Sequence, residues 1–330
     1  MNKTVRHALS CTTCVLAAMA AWAVSAGAAN AQYPDKAIRF VVPYAPGGSS
    51  DQVARLVAVH AEMSLGQPLV VDNKSGAGGA IGSDAVAKAR PDGYTLLLAA
   101  IGPMSILPYA QTKLPYDPQK DLAAITLINT NPFLVVVHPS MPAANIRELV
   151  EVLKANPGKY NYASVGNGSL GHLAGELFKS MAGVEMLHVG FRGGAPALME
   201  TLAGRTHVMF ANINEALPHV KAGRLKALAV TSLKRSELIS TMPTVDESGL
   251  AGYEAIAWNG VAAPAGTPKA VIDRLNTELV KVVRQQDVAK TMREMGLTPV
   301  GSSPEEFADL VGREQAKWGA LIRKSNLKLD

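Results

Sequence analysis

The chain has 330 residues, with 32 Lys and Arg against 27 Asp and Glu, seven His and two Cys. A formal net charge of +5 without a clustered Lys/Arg stripe excludes the strongly basic face that nucleic-acid binding requires, so no nucleic-acid partner is expected. The length suits two domains of ordinary size behind a targeting segment.

The first 31 residues read as that segment. Lys3 and Arg6 make a short basic start, Ala8 to Ala28 are mostly small and apolar, and Ala29-Asn30-Ala31 is a small-x-small cleavage site. A signal peptide cleaved after Ala31 is expected, and with it export. Both cysteines, Cys11 and Cys14, lie inside the segment, ahead of the apolar run rather than after it, which argues against a lipid anchor. The mature chain then has no disulfide, thiolate ligand or cysteine nucleophile. Cleavage removes two basic residues and no acidic ones, lowering the formal charge from +5 to +3. No later apolar run is long enough to span a bilayer.

Short apolar runs alternate with helical patterns along the rest of the chain, which predicts an α/β fold with mixed, mostly parallel sheets flanked by helices. "AIRFVVPY" reads as the first strand, and "SDQVARLVAVHAEM" follows with Val53, Leu56, Val57 and His60 at helical spacing. "PLVVDNKS" is a second strand, "GAIGSDAVAKARPDG" a helix stopped by Pro91 and Gly93, and "YTLLLAA" a third strand. "PFLVVVHP", "YNYASVG", "HVMFANI" and "LKALAVTS" are later strands; "IRELVEVLKANPG", "SLGHLAGELFKSMAG" and "APALMETLAG" are the helices among them. The end, "PKAVIDRLNTELVKVVRQ" and "PEEFADLVGREQAKWGALIRK", is helical. Two stretches, 114–133 and 244–268, read as crossings between domains. They divide the mature chain into a first domain of 32–130 and 258–330 and an inserted second domain of 131–257, with a ligand cleft between them.

Three strands run into loops of one kind. "PYAPGGSSD" aims Gly47, Gly48, Ser49 and Asp51 at the first turn of a helix, where N–H groups lack partners and the helix dipole is positive. A carboxylate or phosphate fits there without Lys or Arg; a plain strand-to-helix turn that needs two glycines is the alternative. "SGAGGAIGS" relaxes the dinucleotide fingerprint, but the next strand ends without the acid that would hold a ribose, and no Gly-Lys-Ser/Thr follows the glycines. "YASVGNGSLGH" is the third. Its "NGSLG" misses the nucleophile elbow by one residue, with Asn167 where Gly belongs. An exported hydrolase using Ser169 and His172 is therefore a rival reading. The histidines have no zinc spacing, and no pair of carboxylates recommends itself as acid and base, so no metal, cofactor or catalytic residue is expected.

As an ordered series, "YPDKAIRFVVPYAPGGSSD", "VVDNKSGAGGAIGSDAVAKARPDGYTLLLA", "YASVGNGSLGHLAGELF", "GFRGGAPALMETLAG", "ALPHVKAGRLKALAVTSLKRS" and "WNGVAAPAGTPKAVIDRLN" resemble the Bug/TctC family, the periplasmic solute receptors of tripartite tricarboxylate transporters. The resemblance implies a two-domain, Venus-flytrap periplasmic binding fold. A small organic carboxylate would be held between the domains by a monomer and delivered to membrane transporter subunits. A receptor that signals instead of feeding transport is a further alternative. Carried onto this chain, the ligand-binding residues are Tyr44, Pro46, Gly47, Gly48, Ser49 and Asp51; Ala77, Gly78 and Gly79; Ser164, Gly166, Asn167, Gly168, Ser169 and His172; and Phe191, Arg192 and Gly193. This chain has Tyr44 where the family often has Phe, and Phe191-Arg192 where Tyr-Lys is common. The planar guanidinium of Arg192 suits a bidentate grip on the second polar end of a ligand.

Overall fold

The computed structural model describes residues 33–191 and 193–324. The expected signal peptide with its cleavage site, both cysteines and Arg192 lie outside the described residues. From Lys36 onward the chain is one compact unit, built on two sheets that share a strand.

In the first sheet β1 (Ile38–Val42) lies between β2 (Leu69–Asn73) and β3 (Thr95–Ala100), parallel to both. β9 (Ile256–Pro264) is antiparallel to β3 and, on its other side, to β4 (Leu122–Val137). The short β10 (Thr298–Pro299) also pairs with β4. The second sheet uses the other half of the same strand. There, residues 133–137 of β4 lie between β7 (Val208–Asn212) and β8 (Lys226–Val230), and β5 (Asn161–Ser164) joins β7 to β6 (Leu187–Gly190) by parallel pairs. Among the described residues, every antiparallel pairing involves β4 or β9.

The helices are α1 (Ser49–Leu65), α2 (Ala80–Ala87), α3 (Leu107–Ala110), α4 (Ile146–Ala155), α5 (Leu170–Ala182), α6 (Gly194–Leu202), α7 (Ile213–Lys221), α8 (Lys269–Arg284), α9 (Gln286–Glu294) and α10 (Pro304–Lys324). Their ends follow from local chemistry. α1 buries Val53, Ala54, Val57, Ala58, Ala61 and Leu65 on one face and stops at Gly66, whose φ of 72° is left-handed. α4 and α10 begin with reciprocal caps. Asn145 Oδ1 accepts from the Glu148 N–H while Glu148 accepts from Asn145 Nδ2 and from the Ala144 N–H; at α10, Ser303 Oγ accepts from the Glu306 N–H and Glu306 from that of Ser303. The core under α10 sets Phe307 edge-on to Trp258, with ring centroids 5.4 Å apart. Among the described residues no helix is long and apolar enough to cross a membrane.

The stretch expected to cross between domains at 114–133 is mostly ordered strand, since β4 starts at Leu122, ten residues before the expected "PFLVVVHP". Thr126, Asn129 and Asn131 interrupt its apolar pattern, yet all three are buried. β9 likewise lies inside the second expected crossing, and β6 and α9 had no counterpart in the sequence pattern. At Pro132 β4 still pairs with Ile256 in the first sheet, and at Phe133 it pairs with Asn212 in the second. The passage between sheets is therefore made within one strand.

Candidate ligand-binding site

The first loop leaves β1 at its C-terminal end and is organised from within. Asp51 is buried; its Oδ2 accepts from the Gly47 N–H (2.9 Å) and from Arg55 Nε (3.0 Å), and its Oδ1 from Asn73 Nδ2 (2.9 Å). Asn73 also donates to the Tyr44 carbonyl at 3.1 Å. Burial works to raise the Asp51 carboxyl, but the hydrogen bonds from Arg55, Gly47 and Asn73 outweigh it and hold the pKa below the ordinary value. Both Asp51 oxygens are thus committed to the loop itself. Gly48 is the N-cap of α1, and no side chain caps it. The first intrahelical bond runs from the Gln52 N–H to the Gly48 carbonyl, so the N–H groups of Ser49, Ser50 and Asp51 precede it. Pro46, Gly47 and Gly48 are exposed around this opening.

The second loop turns through four consecutive residues of positive φ, Gly76 to Gly79. Among them Ala77, at 47°, is the one non-glycine residue of that kind in the described chain. Strain of this sort persists where surrounding structure imposes it, and it clusters in ligand loops. The loop is pinned to the first, because α2 packs so closely on Pro43 that a Cβ on Gly82 would lie 2.8 Å from its Cα.

The third loop ends in Ser169, the N-cap of α5. Its hydroxyl donates to the Gly166 carbonyl (2.7 Å) and accepts from the His172 backbone N–H (3.3 Å). The His172 ring faces elsewhere: its Nδ1 accepts from the Gly168 N–H at 3.3 Å, and the ring stacks on His188 at 3.9 Å. His188 Nε2 in turn meets Ser164 Oγ at 2.6 Å. Burial depresses both imidazoles to a pKa of about 4, with Lys179 adding to the effect at each and His172 also acting on His188. No Ser169–His172 side-chain hydrogen bond of the kind a nucleophile and base would share is present. Phe191 follows β6, and its N–H donates to the Ser164 carbonyl at 2.9 Å. Gly193 is the N-cap of α6.

The loops meet at Gly102, just after β3. A Cβ there would lie 3.3 Å from Tyr44 Oη, 3.6 Å from the Gly78 carbonyl and 4.0 Å from the Gly168 carbonyl. Tyr44 of the first loop, Gly78 of the second and Gly168 of the third therefore come to one place, two of these loops following strands of the first sheet and one a strand of the second. Phe191 stands beside the third loop, because a Cβ on Gly166 would lie 3.3 Å from its carbonyl.

The sequence itself matches, over residues 53–327, the model of the family described as tripartite tricarboxylate transporter family receptor. The chain belongs to this TctC receptor family. Solved structures agree. The periplasmic binding protein BugD is 35% identical, with a TM-score of 0.81 over 90% of this chain and 99% of BugD. The R. palustris protein Rpa4515, solved with adipate, is 34% identical, with a TM-score of 0.84 over 89% of this chain and 98% of its own. MatC from Rhodopseudomonas palustris, solved with bound malate, is 31% identical, with a TM-score of 0.80 over 88% and 100%. The α/β fold is accordingly that of the periplasmic binding proteins.

In this TctC-family chain several residues around the loops had no signal strong enough to select them from sequence. Gly102 is a glycine at a strand end followed directly by Pro103 and Met104, with no serine or second glycine beside it. His188 sits in a short strand that the apolar pattern does not reveal. Asn259 of β9 donates through Nδ2 to Ser50 Oγ (3.0 Å), tying the start of α1 to the shared strand system. Asn129 and Asn131 are polar interruptions in a buried strand, and that interruption was the available signal. A shallow depression on β1 and β2, lined by Ala37, Ile38, Arg39, Val70, Val71 and Asp72, includes none of the loop residues. The Arg39–Asp72 ion pair occupies it.

Proposed function

We propose that this receptor captures a small organic carboxylate where the loops converge and delivers it to the membrane subunits of a tripartite tricarboxylate transporter. The observation that carries the reading is that Tyr44, Gly78 and Gly168, one residue from each loop, meet around Gly102, while the first of these loops leads into an α1 start that no side chain caps. A carboxylate there meets backbone donors and the positive end of a 17-residue helix. The adipate and malate bound by Rpa4515 and MatC are carboxylates of the expected size. Ser49, Gly48 and Gly47 provide the first wall, Ala77 to Gly79 and Tyr44 the second, and the Ser164–Ser169 and Phe191–Gly193 loops the facing wall. Asp51 acts by shaping the first loop, and Arg192 grips the far end of the ligand. The two halves, 32–130 with 258–330 and 131–257, close on the ligand about β4 and the segment before β9, so that binding and closure are coupled. The protein works as an exported, periplasmic monomer without cofactor or turnover, and Ser169 serves as a helix cap.

The test is thermal unfolding of the mature protein, stripped of carried-over ligand by unfolding and refolding, against a panel of mono-, di- and tricarboxylates. A ligand at a hundred times its dissociation constant adds about 2.7 kcal/mol, a shift of several degrees in a chain of this size. A shift with a structurally related set of acids supports the receptor reading. Hydrolysis of an ester or amide that disappears in Ser169→Ala would replace it.

A further inference from the structure

Along the strand shared by the two sheets runs a line of buried polar side chains that the loops do not account for. Asn129 is fully buried, and neither its Nδ2 nor its Oδ1 has a hydrogen-bond partner. It stands directly opposite Asn259 in the β4–β9 register, and residues paired that way share a face. That face leads to the start of α1, where Asn259 donates to Ser50 Oγ at 3.0 Å. Two residues on and on the same face, Asn131 donates to Asn212 Oδ1 at 3.0 Å, and Asn212 donates to Glu215 Oε1 at 3.4 Å. The other Glu215 oxygen, Oε2, is buried without a partner. The carboxylate lies over Gly194, the first residue of α6, where it fills the space a Cβ would need. The line therefore runs from the open helix start of the first sheet to the Phe191–Gly193 loop of the second. Its two unsatisfied groups lie one toward each end.

Unpaired polar groups in a closed interior are costly, and native proteins keep few of them. An amide offers donors and an acceptor, whereas an ionised carboxylate accepts only. Burial, partly offset by the Asn212 bond, raises the Glu215 pKa, as expected of an acid still short of a donor.

We infer that this line is the floor of the ligand site and that Glu215 sets its specificity: the ligand is a carboxylate that also carries a hydrogen-bond donor, a hydroxyl or an ammonium. The Asn129 and Asn259 amides face the ligand's polar atoms at the α1 end, and the hydroxyl or ammonium donates to Glu215 Oε2 at the α6 end. The inference rests on the receptor reading and deepens it. A site built to pair a donor rejects the analogue that lacks one far more strongly than an apolar pocket discriminates by size.

The experiment titrates the refolded, ligand-stripped protein with three matched acids: succinate, its 2-hydroxy derivative malate and its 2-amino derivative aspartate. Wild type binds malate or aspartate at least about tenfold more tightly than succinate, the scale of one hydrogen bond to a charged group. The arm that wins tells a hydroxyl from an ammonium. Glu215→Gln, close to isosteric, removes most of that preference and leaves succinate within a few-fold. Asn129→Leu raises the melting temperature of the empty protein, because an unpaired amide is gone, and weakens all the acids that wild type binds. Equal affinity of wild type for the three acids, or an unchanged preference in Glu215→Gln, overturns the inference and leaves the receptor reading standing. An unchanged affinity in Asn129→Leu overturns the floor. Binding of none of them, when other carboxylates do bind, also overturns the inference alone; binding of no carboxylate at all removes the receptor reading and the inference together.

Discussion

At the start of α1 the N-cap residue is Gly48, which brings no side chain. At the start of α5 it is Ser169, whose hydroxyl accepts from the His172 N–H. In sequence the two loops look alike: strand, then Gly with Ser, then helix. In the fold Asp51, the acidic residue of the first turn of α1, is turned back onto Gly47, Arg55 and Asn73 and claims none of the α1 N–H groups. The second loop of the pair closes on itself through Ser169, Gly166 and the His172 ring. One helix start is uncapped by any side chain, and the other is already partly satisfied by Ser169. The difference teaches that two turns alike in Gly and Ser can leave their helix donors in opposite states, and only the uncapped one has donors left to offer an anion.

The change that most directly breaks this contrast is Gly48→Val. The Gly48 backbone, φ −76° and ψ 170°, is extended and open to any residue. A Cβ there would find only the Ala45 carbonyl, at 3.9 Å. The variant is expected to fold with wild-type circular dichroism and melting temperature. A β-branched side chain over the helix start should nevertheless cost about a hundredfold in carboxylate affinity, the scale of losing charge-assisted hydrogen bonds. Wild-type affinity in calorimetric titration would mean that the first loop is only a turn.

Acid should separate the two loops next. Asp51 has a lowered pKa, so the stability it contributes is present above the unfolded carboxyl value, 3.8, and is lost only as pH falls through the still lower folded value. His172 and His188, with pKa values of about 4 against 6.5 in the unfolded chain, behave differently. Between those values the unfolded state binds protons that the folded state refuses, so stability declines as pH falls from 6.5 toward 4. Protonation of His172 Nδ1 also removes the acceptor for the Gly168 N–H. The melting temperature is expected to drop across that window, and His188→Gln to flatten part of the drop. A flat profile from pH 6.5 to 4 in wild type would show that these rings are solvated after all.

How much of this was legible before the fold was known differs between the halves. The loops after β1, β2 and β5 could be read because their chemistry is local: glycines and small polar residues at the junction of a strand and a helix. β4 could not. Its first ten residues mix Thr and Asn into an apolar run, and only burial on both sides explains them. The Asn129–Asn259 pairing joins positions far apart in the chain, a register that periodicity does not encode. His188 and Glu215 were missed for the same reason, since each takes its meaning from a neighbour on another element.

Ser169→Ala has the smallest expected effect and sharpens the contrast from the other side. Loss of an N-cap hydroxyl costs about 1 kcal/mol, within a range of roughly 0.5–2. If α5 is satisfied by its own cap, that cost should appear almost wholly as reduced stability in denaturant unfolding, with carboxylate affinity changed by no more than a few-fold. A large loss of affinity at unchanged stability would reverse the argument. It would place the Ser169 hydroxyl on the ligand and make the two helix starts equal partners in holding the anion.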